Sequence, residues 1–189
     1  MPRKFMFTKE EIIASALNLT RKGGISALTA RALAAELGSS SRPIFGLFKN
    51  MEEVQQEVFK AADALYQSYI MKGMESGKYP PYKGIGMAYI QFAGEEKELF
   101  KLLFMHDRSQ GNVEEVNEAV KPFVELLQKK MGLNKEDAYL LHLEMWMYVH
   151  GIAVTIATSY LKWDREYISR MITDGFEGIK SRFAGGKSE

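Results

Sequence analysis

Cysteine is absent from the chain. That excludes a disulfide framework, a thiolate nucleophile and a thiolate metal site, and it suits a reducing compartment. Proline is scarce, at five in 189 residues, too few for a proline-rich disordered segment. Histidine is scarcer still, at three. His142 and His150 are two helical turns apart, about 12 Å along an axis. Neither has a Glu at the i, i+3 spacing that would complete a metal site, so no metal is expected. A glycine-rich phosphate loop and a serine elbow are also missing. No catalytic constellation stands out and no cofactor is expected, so the chain does not read as an enzyme. Nor is there a strand pattern of alternating polarity bounded by turn dipeptides.

Long apolar runs are lacking too. The longest, "MWMYVHGIAVTIATSYL" at residues 145–161, contains a His, a Gly, two Thr and a Ser. It reads as a buried helix and not a membrane span. The opening "MPRKFMFTKEE" has a basic start, but Thr8-Lys9 breaks its apolar stretch, so no secretory signal is read. A cytoplasmic protein without a membrane partner is expected. Net charge is +1, but it is unevenly spread. Residues 1–50 carry 8 Lys/Arg against 3 Asp/Glu, whereas residues 51–189 carry 17 against 21. A basic first quarter on a mildly acidic body suits a polyanion held at one end.

What is present is helical periodicity almost throughout, so the fold class is all-α. Thr8 with Glu11 makes a capping box, and Gly23-Gly24 ends the helix it opens. Thr29 is the next N-cap, with Leu28 and Leu33 at the staple positions, and that helix stops at Gly38. A third begins near Ser40 with Pro43 in its first turn. Asn50 and Glu53 open a longer helix. After the break "SGKYPPYKG", further helices are read near 84–93, 95–105, 112–131, 135–162 and 165–183, with Asn134 and Asp164 as caps for the last two. His106-Asp107-Arg108 reads as a polar helix end.

Two short helices joined by a Gly-containing turn, "LTARALAAELGSSSRPIFGLFK", have the outline of a helix-turn-helix. In a DNA-binding version, the start of the second helix meets base edges in the major groove. Serines suit phosphate or base contacts, and Arg42 suits guanine. Ile44, Phe45 and Phe48 are expected to turn inward and fasten the second helix.

The layout "EEIIASALNLTRKGGISALTARALAAELGSSSRPIFGLFKNMEEV" closely resembles the N-terminal domain of the TetR/AcrR family of bacterial transcriptional regulators. "MAYIQFAGEEKELFKLLF" and "MWMYVHGIA" resemble helices of one C-terminal type in that family. The resemblance implies a DNA-binding head at residues 1–50 and a helical ligand-binding and dimerisation domain at residues 51–189. It implies a homodimer on a double-stranded operator, with the last two helices pairing in a four-helix bundle. It also implies a small-molecule pocket whose filling moves the heads apart. By this likeness Thr29 and Arg31 contact phosphates, and Ser39, Ser40, Ser41, Arg42 and Pro43 face DNA. Three positions depart from the pattern. Phe45 stands where Tyr often binds a phosphate, Leu47 where His or Tyr is common, and Met51 where Lys is frequent. Lys49, Arg42, Arg3 and Lys4 are expected to compensate.

In the body, Tyr69, Tyr89, Phe92, Phe104, Phe123, Trp146 and His150 are candidates to line a pocket for a small hydrophobic or aromatic effector. Core packing is the alternative for each. Ile168, Met171, Ile172, Gly175, Phe176 and Ile179 form one stripe of the last helix. Two readings stand for it, a dimer seam or a core face within one subunit. The functional expectation is a ligand-responsive regulator, acting as a repressor. The alternative is an all-α ligand-binding or protein-interaction module with weakened DNA binding.

Overall fold

The computed structural model of the chain describes residues 7–106 and 113–184. Arg3, Lys4, Asp107 and Arg108 lie outside them. Among the described residues there are nine α-helices and no strand. They are α1 (Lys9–Gly23), α2 (Ala30–Glu36), α3 (Arg42–Leu47), α4 (Met51–Glu75), α5 (Pro81–Glu95), α6 (Lys97–Phe104), α7 (Val113–Met131), α8 (Lys135–Ala157) and α9 (Arg165–Ala184), with a short 3-10 turn at Ile25–Ala27. The chain divides into two compact units, residues 1–68 with 95–106, and residues 69–94 with 107–189.

In the first unit, local chemistry sets each boundary. The Glu11 amide donates to Thr8 Oγ1 at 3.1 Å and the Thr8 amide to Glu11 Oε2 at 2.8 Å, a complete capping box. Thr29 caps α2 by accepting from the Ala32 amide at 3.1 Å. At its other end Gly38 takes φ +60. The Ser39 and Gly38 amides then reach back to the carbonyls of Ala34 and Ala35, at 2.9 and 3.0 Å. This is a Schellman closure, which glycine permits at little cost. The Glu53 amide donates to Asn50 Oδ1 at 2.9 Å and opens α4. Ile12, Ala16, Leu28, Leu33, Ile44, Phe48, Val54 and Val58 form the core of this unit. Arg21 ties α1 to Glu96, ahead of α6, at 2.6 Å.

One expectation fails here. Phe45 does not turn inward; it is 47% exposed. Ile44 and Phe48 are one helical turn apart and take the buried side, and position 45 is rotated by about 100° from 44. It therefore falls on the outer side with Arg42 and Lys49, both exposed.

The second unit contains the end of α4, nearly all of α5, and α7 to α9. Asn134 and Asp164 cap α8 and α9 by accepting from the Asp137 and Tyr167 amides, at 2.9 and 2.7 Å. Helix α8 ends at Ala157, five residues earlier than its apolar pattern predicts. There Ser159 takes φ +58, and the Ser159 and Tyr160 amides bond to the carbonyls of Ile156 and Thr155. The closure is the same as at Gly38, but a serine occupies the left-handed position. By length and composition α8 could cross a membrane, yet eight of its residues, from Ala138 to Ala157, are buried against the protein. It packs as a core helix.

Helices α4 and α5 meet almost backbone to backbone at Gly73 and Gly84. A Cβ on Gly73 would lie 2.5 Å from Ala88 Cβ and 2.6 Å from the Gly84 carbonyl oxygen, and one on Gly84 would fall on the Gly73 carbonyl. Gly84→Ala is therefore expected to lower stability by about 1–3 kcal/mol. Gly151, whose surroundings are open, serves as the control. Gly151→Ala should be neutral or gain up to about 1 kcal/mol. Urea unfolding followed by circular dichroism checks both, and equal midpoints for the two variants would contradict the close approach.

Candidate functional site

Helices α2 and α3 and the turn between them carry the polar face of the first unit. An open cleft of about 480 Å³ is lined by Ala30, Arg31, Ala34, Ala35, Ser39 and Ser41. Three residues singled out from the sequence, Arg31, Ser39 and Ser41, thus meet at one surface. Ser40, Arg42, Phe45 and Lys49 are exposed beside it on the turn, on α3 and just after α3, and Pro43 is half-buried in the first turn. Thr29 already uses its hydroxyl oxygen as the α2 cap, which leaves its hydroxyl proton as a donor. Among the described residues no ion pair or hydrogen bond engages the Arg31 or Arg42 guanidinium. By contrast, Lys22 is paired with Glu36 at 3.1 Å. The three alanines of the cleft went unnoticed in the sequence. Their signal was their spacing, since 30, 31, 34 and 35 lie on one face of a helix and small side chains there leave the groove open.

A second feature of this unit lies at the start of α4. The Glu53 carboxylate accepts the Lys49 amide at 2.7 Å and lies 3.5 Å from the Lys9 ammonium. The Lys49 hydrogen bond lowers its carboxyl below the usual range; partial desolvation opposes this, and the charge of Lys9 adds to it. Lys9 also lies 5.0 Å from the centre of the Phe48 ring.

In the second unit the histidines of α8 are built into tyrosine pairs. The Tyr82 hydroxyl and His142 Nδ1 share a hydrogen bond of 2.9 Å, and Phe123 stacks on His142 at 5.3 Å and 21°. One rung further, the Tyr89 hydroxyl and His150 Nδ1 are 2.8 Å apart, and Trp146 stacks on His150 at 4.8 Å and 14°. Burial lowers the pKa of both imidazoles, that of His142 to about 4. So Tyr89, Trp146 and His150 come together, whereas Phe123 joins His142. Tyr69 meets Phe92 edge-on at 5.3 Å. Phe104 belongs to the first unit, where it packs on Tyr66 and Phe100. Tyr89 and Phe92 are buried, but Trp146 is 41% exposed. His106 follows α6 and meets the Phe59 ring edge-on at 5.8 Å.

The α9 stripe faces its own chain. Ile168 and Ile172 are buried. A Cβ on Gly175 would lie 2.9 Å from the Tyr148 ring, and the Phe176 ring is 5.9 Å from that of Tyr82. Met171 and Ile179 are half-buried.

The tetracyclin repressor-like C-terminal domain family matches residues 83–174. A TetR-like transcriptional regulator from Rhodococcus sp. RHA1 superposes with a TM-score of 0.65 at 16% identity, over 99% of this chain and 100% of its own. A TetR-family protein from Vibrio parahaemolyticus gives 0.62 at 18% identity, over 90% and 97%. The multidrug binding protein EbrR, complexed with imidazole, gives 0.58 at 16% identity, over 88% of each. No protein of curated function matches the sequence. The structural likenesses show a shared fold, and the family match adds the sequence signature of the C-terminal domain. Residues 83–174 thus carry the tetracyclin repressor-like C-terminal domain, and the chain has the fold of the TetR-family regulators.

Buried His142 carries a pH dependence. The folded pKa of His142, about 4, lies below the ordinary value of about 6.5. Proton uptake therefore favours the unfolded chain, and stability is lost as pH falls from about 6.5 towards 4. His142 accounts for a loss on the order of 2 kcal/mol between pH 7 and pH 5. Urea unfolding at the two pH values should show a smaller acid loss for His142→Gln than for the unaltered protein. An unchanged acid loss would mean that His142 is not buried neutral.

Proposed function

We propose that the chain is a TetR-family regulator that binds a near-palindromic double-stranded operator as a homodimer, with residues 1–50 as the DNA-binding head, and represses transcription by obstructing polymerase. The observation that carries the proposal is the pair of exposed guanidiniums, Arg31 and Arg42, unengaged by any described residue on either side of a serine turn. Two open guanidiniums, Arg31 lining the small-residue cleft and Arg42 exposed beside it, suit phosphates and base edges. In this reading Thr29 and Arg31 take phosphates from the start of α2. Ser39, Ser40, Ser41, Arg42 and Pro43 face the groove, with Phe45 and Lys49 at its rim. A DNA partner places the protein in the cytoplasm, and its role is that of a regulator and not a catalyst.

The effector is a small hydrophobic or aromatic molecule. EbrR, one of the structural neighbours, is a multidrug binding protein. The Tyr89–His150–Trp146 stack gives flat rings and one polar rung for such a ligand, with Tyr69, Phe92 and Phe123 in the same unit. Because Tyr89 and Phe92 are buried, the ligand must part side chains to enter. It releases DNA only if it binds the releasing conformation more tightly than the DNA-binding one. The homodimer seam falls on exposed apolar residues of α8 and α9, notably Leu140, Met147 and Tyr167, with Met171 and Ile179 at its margin.

With about three phosphate contacts per head, two heads give a log–log salt slope near −5. On DNA from the region upstream of its own gene, Arg31→Ala and Arg42→Ala should each weaken binding by about 1–3 kcal/mol. A slope near zero, with neither variant weaker, would favour the alternative of a ligand-binding or interaction module with lost DNA binding. The outward Phe45, which offers no hydroxyl to a phosphate, is the observation on that side. Light scattering should give twice the chain mass for the unaltered protein and the single chain mass for Met147→Glu. A dimer that survives this substitution would move the seam elsewhere.

A further inference from the structure

A carboxylate at the start of α4, just past residues 1–50, engages two donors of the head. The Glu53 carboxylate engages the Lys49 amide at 2.7 Å and the Lys9 ammonium at 3.5 Å. These two donors come from different elements, the middle of the α3–α4 connection and the first residue of α1. A backbone N–H on one oxygen of the carboxylate and an ammonium on the other offer what the two free oxygens of a phosphodiester need, charge and hydrogen bonds together. Lys49 adjoins the exposed Arg42–Phe45 side of α3, so the donors border the face read above as the DNA surface. Glu53 is only partly covered, with 30% of its side chain exposed. An exposed ion pair of this kind is weak and is readily exchanged for another anion.

We propose that Glu53 limits DNA binding by this head: in the free chain its carboxylate occupies the Lys9 and Lys49 donors that a DNA phosphate would otherwise take. The proposal rests on the DNA-binding reading and adds Lys9 to the residues that meet phosphate. On binding, the phosphate displaces the carboxylate, and the displaced charge then stands close to the backbone of the DNA. Each head thereby loses affinity that its basic residues could supply. Glu52, its exposed neighbour with no partner among the described residues, carries the same charge without occupying those donors. It separates the specific contact from general repulsion.

Fluorescence anisotropy of the upstream DNA across a salt series decides the matter, with the full chain as wild type, Glu53→Gln, Glu52→Gln, Lys9→Met and Arg31→Ala. Glu53→Gln retains a carbonyl acceptor for the Lys49 amide and removes only the charge. It should bind about tenfold more tightly, with a slope steeper by about 1 to 2, one released contact per head. Glu52→Gln should change binding less than about twofold. Lys9→Met should weaken binding and flatten the slope, and because Lys9 is exposed this test stands even if Glu53→Gln is poorly folded. Equal effects of Glu53→Gln and Glu52→Gln, or an unaltered slope with Lys9→Met, would overturn the proposal. If Arg31→Ala still weakens binding in that case, only the role of Glu53 has failed. If Arg31→Ala and Lys9→Met both leave binding unchanged, the DNA-binding reading fails with it.

Discussion

A helix of six residues has no stability of its own, because nucleation costs more than its few hydrogen bonds return. Helix α3 exists because Ile44 and Phe48 are sealed into the core formed by Ile12, Ala16, Leu28, Leu33 and Val54. Fully burying each of those two side chains contributes about 1.5–3 kcal/mol. Everything on the outer side follows from that anchoring. With Ile44 and Phe48 inward, Arg42, Phe45 and Lys49 point outward, and the serine turn is held over α2. The Schellman closure at Gly38 sets the direction of the chain between the helices. The polar face therefore needs no stabilising contacts of its own, which lets Arg31 and Arg42 remain unpaired.

The second unit solves a different problem. Its long helix α8 is apolar nearly all round, and it places two imidazoles where the core should be. Each is satisfied by a tyrosine of α5, and each is stacked on a second ring. A buried polar group without a partner would cost on the order of 1–3 kcal/mol, so each pairing matters for stability as well as for any ligand. The same rungs that complete the core are the polar features a hydrophobic ligand could use. This overlap is the reason that core residues and pocket residues are so hard to tell apart in this chain.

Some of this was legible beforehand because it is local. The capping boxes and N-caps at Thr8, Thr29, Asn50, Asn134 and Asp164 depend on residues three apart, and each is present. Gly38 could be read as a left-handed stop because glycine advertises it. Ser159 makes the same turn without that signal, so α8 was expected to run to 162. Phe45 was misplaced because an aromatic residue in a short helix looks like core. Only the rotation fixed by Ile44 and Phe48 shows that it is not. The α4–α5 contact at Gly73 and Gly84 joins residues eleven apart across a helix crossing, and no periodicity announces it.

The sequence alone determined the all-helical class, the helix starts, the helix-turn-helix outline and the basic bias of the first quarter, since these rest on spacing, capping and charge within a few residues. Tertiary structure alone decided which faces were left over. It turned the α9 stripe of Ile168, Ile172 and Gly175 against its own subunit, joined Tyr82 to His142 and Tyr89 to His150, and set Glu53 between Lys9 and Lys49. These pairings link residues between 4 and more than 60 positions apart. Burial and partner choice depend on which helices cross and where, and that is a property of the packed chain, not of any one segment.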